Sequence, residues 1–184
     1  MKKSAIFLVF LTLSSITLLA QENSITLGAG YAFSNVEDTD ATAEGFRINL
    51  SYDFLPIGHK VSHGLNLGYV NTTSEGGEGL LFKSYDISTM PFYYSPKLFF
   101  GKSNFKGYVK ALIGLHYTWF TRTAPLTEVT ENDMGLYAGG GLGANYNVNE
   151  KLFLSVEYEL AYMSNALFRN GLLNTASVGL GFRF

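Results

Sequence analysis

Two glutamates, Glu157 and Glu159, are the residues whose type and spacing most directly suggest chemistry. They lie two positions apart in a segment that alternates polar and apolar residues, so a β-strand there places both carboxylates on one face. Such a pair could act as a general acid and base, or as a proton path. Buried cations could instead neutralise it. We favour that second interpretation, an ion-pair network with Arg47, Lys110 and Arg183, because buried charges are stable only when paired.

A glycine run at 139–143, Gly-Gly-Gly-Leu-Gly, superficially resembles a dinucleotide-binding loop. That motif requires a following helix whose N-terminus receives the pyrophosphate. Here a turn-like stretch and another alternating segment follow instead. We therefore interpret the glycines as small residues that leave room for neighbouring side chains, and we expect no cofactor.

The three histidines, His59, His63 and His116, show none of the spacings of a metal site. The chain has no cysteine, which excludes disulfides, a thiol nucleophile and a Cys-ligated zinc. We predict no metal-ligating residue. The acidic balance, 15 Asp and Glu against 13 Lys and Arg, gives no support for nucleic-acid binding.

Eight segments with a period of two residues must position these side chains. Each has apolar residues on one parity and polar or small residues on the other, and no run of about 18 apolar residues follows residue 20. The predicted strands are residues 24–34, 44–54, 62–71, 82–94, 106–120, 133–147, 151–163 and 172–184. The fourth is the least regular, because Pro91 and Pro96 interrupt it.

The polar parity carries the charges, which argues against a soluble barrel with an apolar lumen. An up-and-down antiparallel barrel with its apolar parity in lipid fits better, with charges plugging a narrow interior. The expected inward set is Arg47, Asp53, Asp86, Lys110, His116, Glu157, Glu159 and Arg183.

Residues 1–20 have the pattern of a secretory signal peptide, with Lys2 and Lys3 before an apolar stretch and Ala20 before the cut. A retained membrane anchor is the alternative, disfavoured because the apolar stretch is short. We therefore predict one domain, the barrel, over residues 21–184.

The last segment, 172–184, ends on Phe184 and resembles the C-terminal signature of bacterial outer-membrane β-barrel proteins, which the barrel assembly machinery reads. The pattern of the mature chain resembles the small eight-stranded family that includes the OmpA membrane domain and OmpX. The resemblance implies an all-β, eight-stranded transmembrane barrel in the bacterial outer membrane, monomeric and in contact with outer-membrane lipids and lipopolysaccharide.

Tyr162 and Ser164 lie in a Tyr-Met-Ser-Asn-Ala segment that resembles the His-x-Ser-Asn-Ala segment of lipid A 3-O-deacylases. The resemblance implies a nucleophilic role for Ser164 near the outer leaflet. The position of the base is Tyr162, however, and a phenol is a poor general base at neutral pH. No acid follows Glu159. We therefore expect this segment to begin a loop and to have no catalytic role.

Connections after the odd strands are expected to face outward, at 35–43, 72–80, 121–132 and 164–171. They concentrate acidic residues, whereas the opposite turns hold basic residues that include His59, Lys60, Lys97, Lys102 and Lys151. Aromatic residues near strand ends predict two interfacial belts. The expected members are Phe33, Phe54, Tyr69, Tyr93, Trp119, Tyr146, Phe168 and Phe184.

The sequence thus predicts an outer-membrane barrel with a structural or surface-interaction role, such as membrane integrity or adhesion through its outer loops. No catalytic, cofactor-binding or metal-binding residue is assigned. Two alternatives stay open: a lipid A deacylase-like barrel using Ser164, and a narrow porin-like channel.

Overall fold

Eight antiparallel strands account for nearly all of the computed structural model, which describes residues 21–36, 42–56, 59–76, 83–101, 104–125, 127–164 and 168–184. A 3₁₀ turn, Arg169–Gly171, precedes the last strand. The predicted signal peptide, 1–20, lies outside the described residues and stays a prediction. The strands are β1 (Gln21–Asn35), β2 (Thr42–Pro56), β3 (Val61–Gly76), β4 (Lys83–Phe100), β5 (Phe105–Ala124), β6 (Thr127–Asn147), β7 (Leu152–Met163) and β8 (Leu172–Arg183).

Each strand pairs with the next along the chain, and β8 pairs with β1, so the sheet is a closed barrel. The predicted fold class is confirmed. Among the described residues, no helix is both long and apolar enough to cross a membrane.

A ring of apolar side chains in register circles the outer face. Its members are directly paired from strand to strand and are all more than two-fifths exposed: Leu154, Leu180, Leu27, Leu50, Leu67, Phe92, Leu115 and Leu136. Exposed apolar residues in this pattern form a surface that requires lipid around it.

The strands tilt strongly against the barrel axis. Leu154 of β7 can be followed from partner to partner once around the barrel, through Leu136 of β6 and back to the chain of β7. The path returns at Ser164 and not at Leu154, so the strands are staggered by 164 − 154, or ten residues. For eight strands spaced by ordinary sheet distances, this stagger corresponds to a tilt of about 40°. A barrel of this size has a lumen that side chains can fill.

Strand β4 continues past both prolines to Phe100, so the prediction that it ends near Tyr94 was wrong. The register does not shift at either proline. Pro91 interrupts the ladder toward β3 and Pro96 interrupts the ladder toward β5. Residues of opposite parity direct their N–H groups to opposite neighbours, and each proline therefore removes a hydrogen bond on one side only.

The segment 121–132, predicted as an outer loop, is instead a β-hairpin. Strands β5 and β6 pair continuously to Ala124 and Thr127. This hairpin extends past the apolar ring, and neither set of its alternate residues faces lipid. Its sequence therefore lacks the hydrophobic alternation that would indicate strands. Threonines and Val129 supply β propensity instead.

The barrel has two distinct ends. The loop end holds the connections after β1, β3, β5 and β7. The turn end holds the three other connections, together with Gln21 at the start of β1 and Arg183 at the end of β8.

Candidate functional site

A charged cluster crosses the middle of the lumen. Glu159, 1 % exposed, accepts hydrogen bonds from Arg47, which is fully buried, and from Lys110. The Tyr93 hydroxyl donates a third, over 2.9 Å. Arg47 also donates to the Tyr93 and Thr175 hydroxyls, over 2.6 Å each. Four strands therefore meet at one carboxylate.

The second carboxylate completes the charge balance. Lys110 Nζ lies 2.7 Å from Glu157 Oε2, and the Tyr108 hydroxyl donates to the same oxygen over 2.8 Å. Two cations and two carboxylates thus neutralise one another. The predicted network is confirmed for Arg47 and Lys110, and each carboxylate forms an ion pair in it.

Arg183 was wrongly assigned to that network. It lies at the turn end, where its guanidinium donates to Asn147 Oδ1 over 2.6 Å and stacks 4.5 Å from the Phe153 ring centre. Glu157 pairs with Ser177 across β7 and β8, so Arg183 lies six residues farther along β8, toward the turn end.

Two other charges also differ from expectation. Asp86 is exposed on the outer face and accepts a hydrogen bond from Asn71 over 2.8 Å. Lys97, expected in a turn, is buried on β4 and forms an ion pair with Asp53 over 2.7 Å. The error at Lys97 follows from ending β4 too early, whereas Asp86 lies within the predicted strand and was placed on the wrong face of it.

Between this cluster and the loop end, the lumen is filled by apolar side chains. An isolated bridge joins Val36 to Phe168 and brings two outer connections together over the lumen. Buried members of this apolar layer are Ala32, Val36, Ala43, Val70, Tyr85, Ile87, Ala161, Met163, Phe168 and Leu173. The interior is therefore plugged as predicted, but by an apolar layer as well as by charges. A layer of apolar side chains across the lumen argues against the narrow porin-like channel.

Two predicted belt aromatics, Tyr93 and Phe168, lie inside the barrel and not in a belt. Tyr93 is on the inward parity of β4, and Phe168 packs in the apolar layer. Outward aromatics do form groups at the loop end, where Tyr69 lies 5.9 Å from Phe46 and 6.1 Å from Trp119 between ring centres.

Toward the turn end, the lumen opens into a cavity of about 540 Å³. Its inner boundary includes Tyr108 and Glu157 of the charged cluster, and the Lys97–Asp53 pair lies in its wall. Sequence reasoning missed this cavity, because alternation reports which side chains point inward but not how completely they fill the space.

Ser164 is not paired with a base. Its hydroxyl accepts the Leu136 N–H over 2.7 Å, and its backbone carbonyl lies 2.9 Å from His116 Nε2. A carbonyl oxygen only accepts, so Nε2 carries the proton, and Nδ1 accepts from the Thr118 hydroxyl at 2.9 Å. In this arrangement His116 anchors the end of β7 and has no free lone pair for Ser164.

The glycine run at 139–143 lies within β6, and a turn and β7 follow it. No helix receives a phosphate there. A Cβ at Gly143 would lie 2.4 Å from Tyr108 Cζ, so this glycine makes room for the ring. His63 lies on the outer face, hydrogen-bonded to Tyr94. Among the described residues, no group of acidic and histidine side chains could hold a metal ion.

At the loop end, the hairpin has one uncovered edge. Strand β7 pairs with β6 only from Tyr137 onward. Leu136 contacts Ser164, but within the described ranges nothing pairs with Thr127–Gly135 on the side away from β5. Glu128, Glu131 and Asp133 lie along this stretch.

The sequence matches the family model of the outer membrane protein beta-barrel domain over residues 5–184. The chain belongs to this family. It is an outer-membrane β-barrel, and the predicted localisation is confirmed. No curated protein is similar enough in sequence to count as a match.

Solved structures share the fold of this outer-membrane barrel. Neisserial surface protein A is 16% identical with a TM-score of 0.61, over 88% of this chain and 97% of that one. Ail of Yersinia pestis is 16% identical with a TM-score of 0.60, over 90% and 100%. A major outer membrane protein from Thermus thermophilus is 12% identical with a TM-score of 0.67, over 90% and 100%.

Proposed function

We propose that this outer-membrane barrel is a non-catalytic surface-recognition protein, which binds an extended, basic polypeptide segment along the free edge of its β5–β6 hairpin. The uncovered stretch Thr127–Gly135 carries the proposal. In outer-membrane barrels the longer connections face outside, so the loop end with this edge meets the extracellular medium.

The free edge offers a regular row of backbone groups. Leu136 uses its N–H and C=O toward β7, where it contacts Ser164. In an antiparallel strand, the backbone N–H and C=O groups of successive residues point to opposite sides. The backbone groups of every second residue therefore point to the same side as those of Leu136, namely those of Glu128, Thr130, Asn132 and Met134. Such a row can add a further strand through main-chain hydrogen bonds. Asp133 already accepts the Met134 N–H over 2.7 Å, which limits docking to the outer part of the edge.

Charge decides which segment fits. Exposed acids at the loop end outnumber the cations whose side chains are described there, the exposed Arg122 and the half-buried Lys83. Two of these acids, Glu128 and Glu131, lie on the hairpin itself. Ail has been crystallised with the heparin analogue sucrose octasulfate, which is a polyanion. The acidic hairpin of this chain disfavours such a ligand and favours a cationic one.

Replacing Asn132 by proline tests the edge. The substitution removes an N–H that points away from β5, and it leaves the β5–β6 ladder intact. We expect affinity for a peptide of alternating lysine and valine to fall about tenfold or more, as for a lost hydrogen bond with distorted neighbours. The measurement is calorimetric titration of the barrel in phosphatidylcholine nanodiscs.

A charge variant supplies the control. Glu128→Gln with Glu131→Gln should weaken the same peptide, and more so at low salt. Glu44→Gln with Glu75→Gln removes equal charge from β2 and β3, away from the edge, and should change affinity little. Equal peptide affinity for the wild-type barrel and the Asn132→Pro barrel would contradict recognition along the edge.

We propose further that Ser164 performs no hydrolysis. With its hydroxyl on the Leu136 N–H and His116 held by a carbonyl, Ser164 has no base. Lipid A should be identical by mass spectrometry in cells lacking the protein, expressing it, and expressing Ser164→Ala. Loss of an acyl chain that depends on Ser164 would contradict this proposal.

The remaining partners follow from the outer surface. Outer-membrane lipids contact the apolar face, and we propose that lipopolysaccharide is among them. Strand β8 alternates as predicted, with Val178, Leu180, Phe182 and Phe184 exposed. We propose that the barrel assembly machinery reads this strand and that the protein is monomeric.

A further inference from the structure

We propose that the turn-end cavity is a binding site for a small organic anion with an aromatic or apolar body. The cavity lies at the opposite end of the barrel from the recognition edge, and nothing in the proposed surface role uses it. Its volume of about 540 Å³ is within the range of small-molecule sites. It opens at the turn end, because residues of the β2–β3 and β4–β5 connections line it together with Glu22 at the start of β1 and Arg183 at the end of β8.

Cations facing the cavity exceed the acids that are free to balance them. Asp53 is paired with Lys97, and Glu157 with Lys110 and Tyr108. In the described part of the chain, Lys60, Lys106 and Arg183 then face only Glu22 without an ion pair, three cations against one acid. The full set of charged and histidine groups in the lining is Glu22, Asp53, His59, Lys60, Lys97, Lys106, Glu157 and Arg183.

Arg183 is the best-placed anchor. Among the described residues, the only side chain to which it donates a hydrogen bond is the neutral Asn147, through one of its terminal nitrogens. The guanidinium is held by its stacking on Phe153, so its remaining donors are presented in a fixed plane. A planar fork of donors on a rigid support suits a carboxylate or a phosphate.

Aromatic walls select the body of the ligand. Phe99 and Tyr108 pack 5.4 Å apart between ring centres, and Phe153 supports Arg183. All three line the cavity. Rings beside unpaired cations favour an aromatic anion over an inorganic one, since the body adds apolar contact to the charge interaction.

The test is calorimetric titration of 1-naphthyl phosphate into the full barrel, refolded in nanodiscs of zwitterionic phosphatidylcholine, with empty nanodiscs subtracted. We expect saturable binding that weakens about tenfold or more in Arg183→Gln and in Lys106→Gln, as for a lost charge-assisted hydrogen bond. Lys151→Gln removes a cation from the same end but outside the lining and should bind like the wild type. A heat-dependent shift in gel mobility verifies that each variant is folded.

Three results would overturn the proposal. Equal affinity in the wild type, Arg183→Gln and Lys106→Gln would place the probe elsewhere. Equal affinity for inorganic phosphate would deny a role to the aromatic walls. Competition by phosphatidylglycerol added to the nanodisc would identify a lipid headgroup as the source of the anion. Should Arg183→Gln fail to fold, Lys106→Gln decides between the outcomes.

Discussion

Replacing Glu159 by glutamine should lower the free energy of unfolding by about 3–5 kcal/mol, as for one partner removed from a buried ion pair. The change keeps the size of the side chain and removes its charge. Lys110 then keeps its ion pair with Glu157, and Arg47 is left without a carboxylate, so one positive charge remains uncompensated inside the barrel. Urea titration of the barrel in phospholipid vesicles, followed by tryptophan fluorescence of Trp119, measures the loss.

Two further variants separate charge from local packing. Glu128→Gln makes the same chemical change on the exposed hairpin and should shift stability by no more than about 0.5 kcal/mol. Arg47→Met combined with Glu159→Gln restores neutrality around Lys110 and Glu157. This double variant should therefore be more stable than Glu159→Gln alone. Equal stability of Glu159→Gln and the wild type would show that the cluster is not held by its charge balance.

The charged cluster also divides the lumen into two parts. On its loop side, the apolar layer closes the barrel beneath the hairpin, so the proposed recognition edge rests on a rigid support. On its turn side, the cavity is isolated from the outer medium. The two proposed sites therefore face different compartments and share only the barrel wall between them.

Alternation in the sequence predicted the architecture because the bilayer enforces it on every strand. Strands β1, β2, β7 and β8 were predicted to within three residues at each end, since lipid contacts one of their faces along most of their length. The family resemblance rests on the same pattern and is confirmed by the family match.

Hydrophobic alternation failed as a predictor for the parts of the chain that do not contact lipid. The hairpin strands beyond Thr121 face water on both sides, so nothing in their hydropathy separates them from a loop. The apolar layer escaped notice for a related reason. Val70, Ile87 and Leu173 are apolar residues on the inward parity, and the expectation of a polar lumen left them uninterpreted. A run of apolar residues on both parities near a strand end is the signal that could have revealed them.

Side-chain partners were the least predictable part. Parity placed Arg47, Lys110, Glu157 and Glu159 in the lumen correctly, but height along the axis depends on the stagger of ten residues. The register of β7 with β8 pairs Glu157 with Ser177, so Arg183 lies beside Asn147 and Phe153 and away from the two glutamates. Register has to be known for every strand pair before such distances can be deduced.

Neighbouring glycines on β6, Gly139 and Gly140, should respond in opposite directions to alanine. A Cβ at Gly139 would lie 2.2 Å from the Leu160 carbonyl oxygen and 2.8 Å from Ala161 Cα. Both atoms belong to the backbone of β7 and cannot move without opening the β6–β7 ladder. We expect Gly139→Ala to lose about 3 kcal/mol, at the upper end of typical overpacking.

Gly140 faces the opposite side of the same strand. A Cβ there meets only the Lys110 carbonyl oxygen, at 3.4 Å, which is ordinary contact. Gly140→Ala should therefore gain about 0.5–1 kcal/mol, because alanine restricts the unfolded chain without strain in the folded one. Urea unfolding in vesicles measures both changes, and the pair differs in nothing except which face receives the methyl group. Equal effects of the two substitutions would mean that β6 and β7 approach less closely than this register requires. Opposite signs would locate the need for glycine in the contact between these two strands, which also holds Glu159 over Lys110.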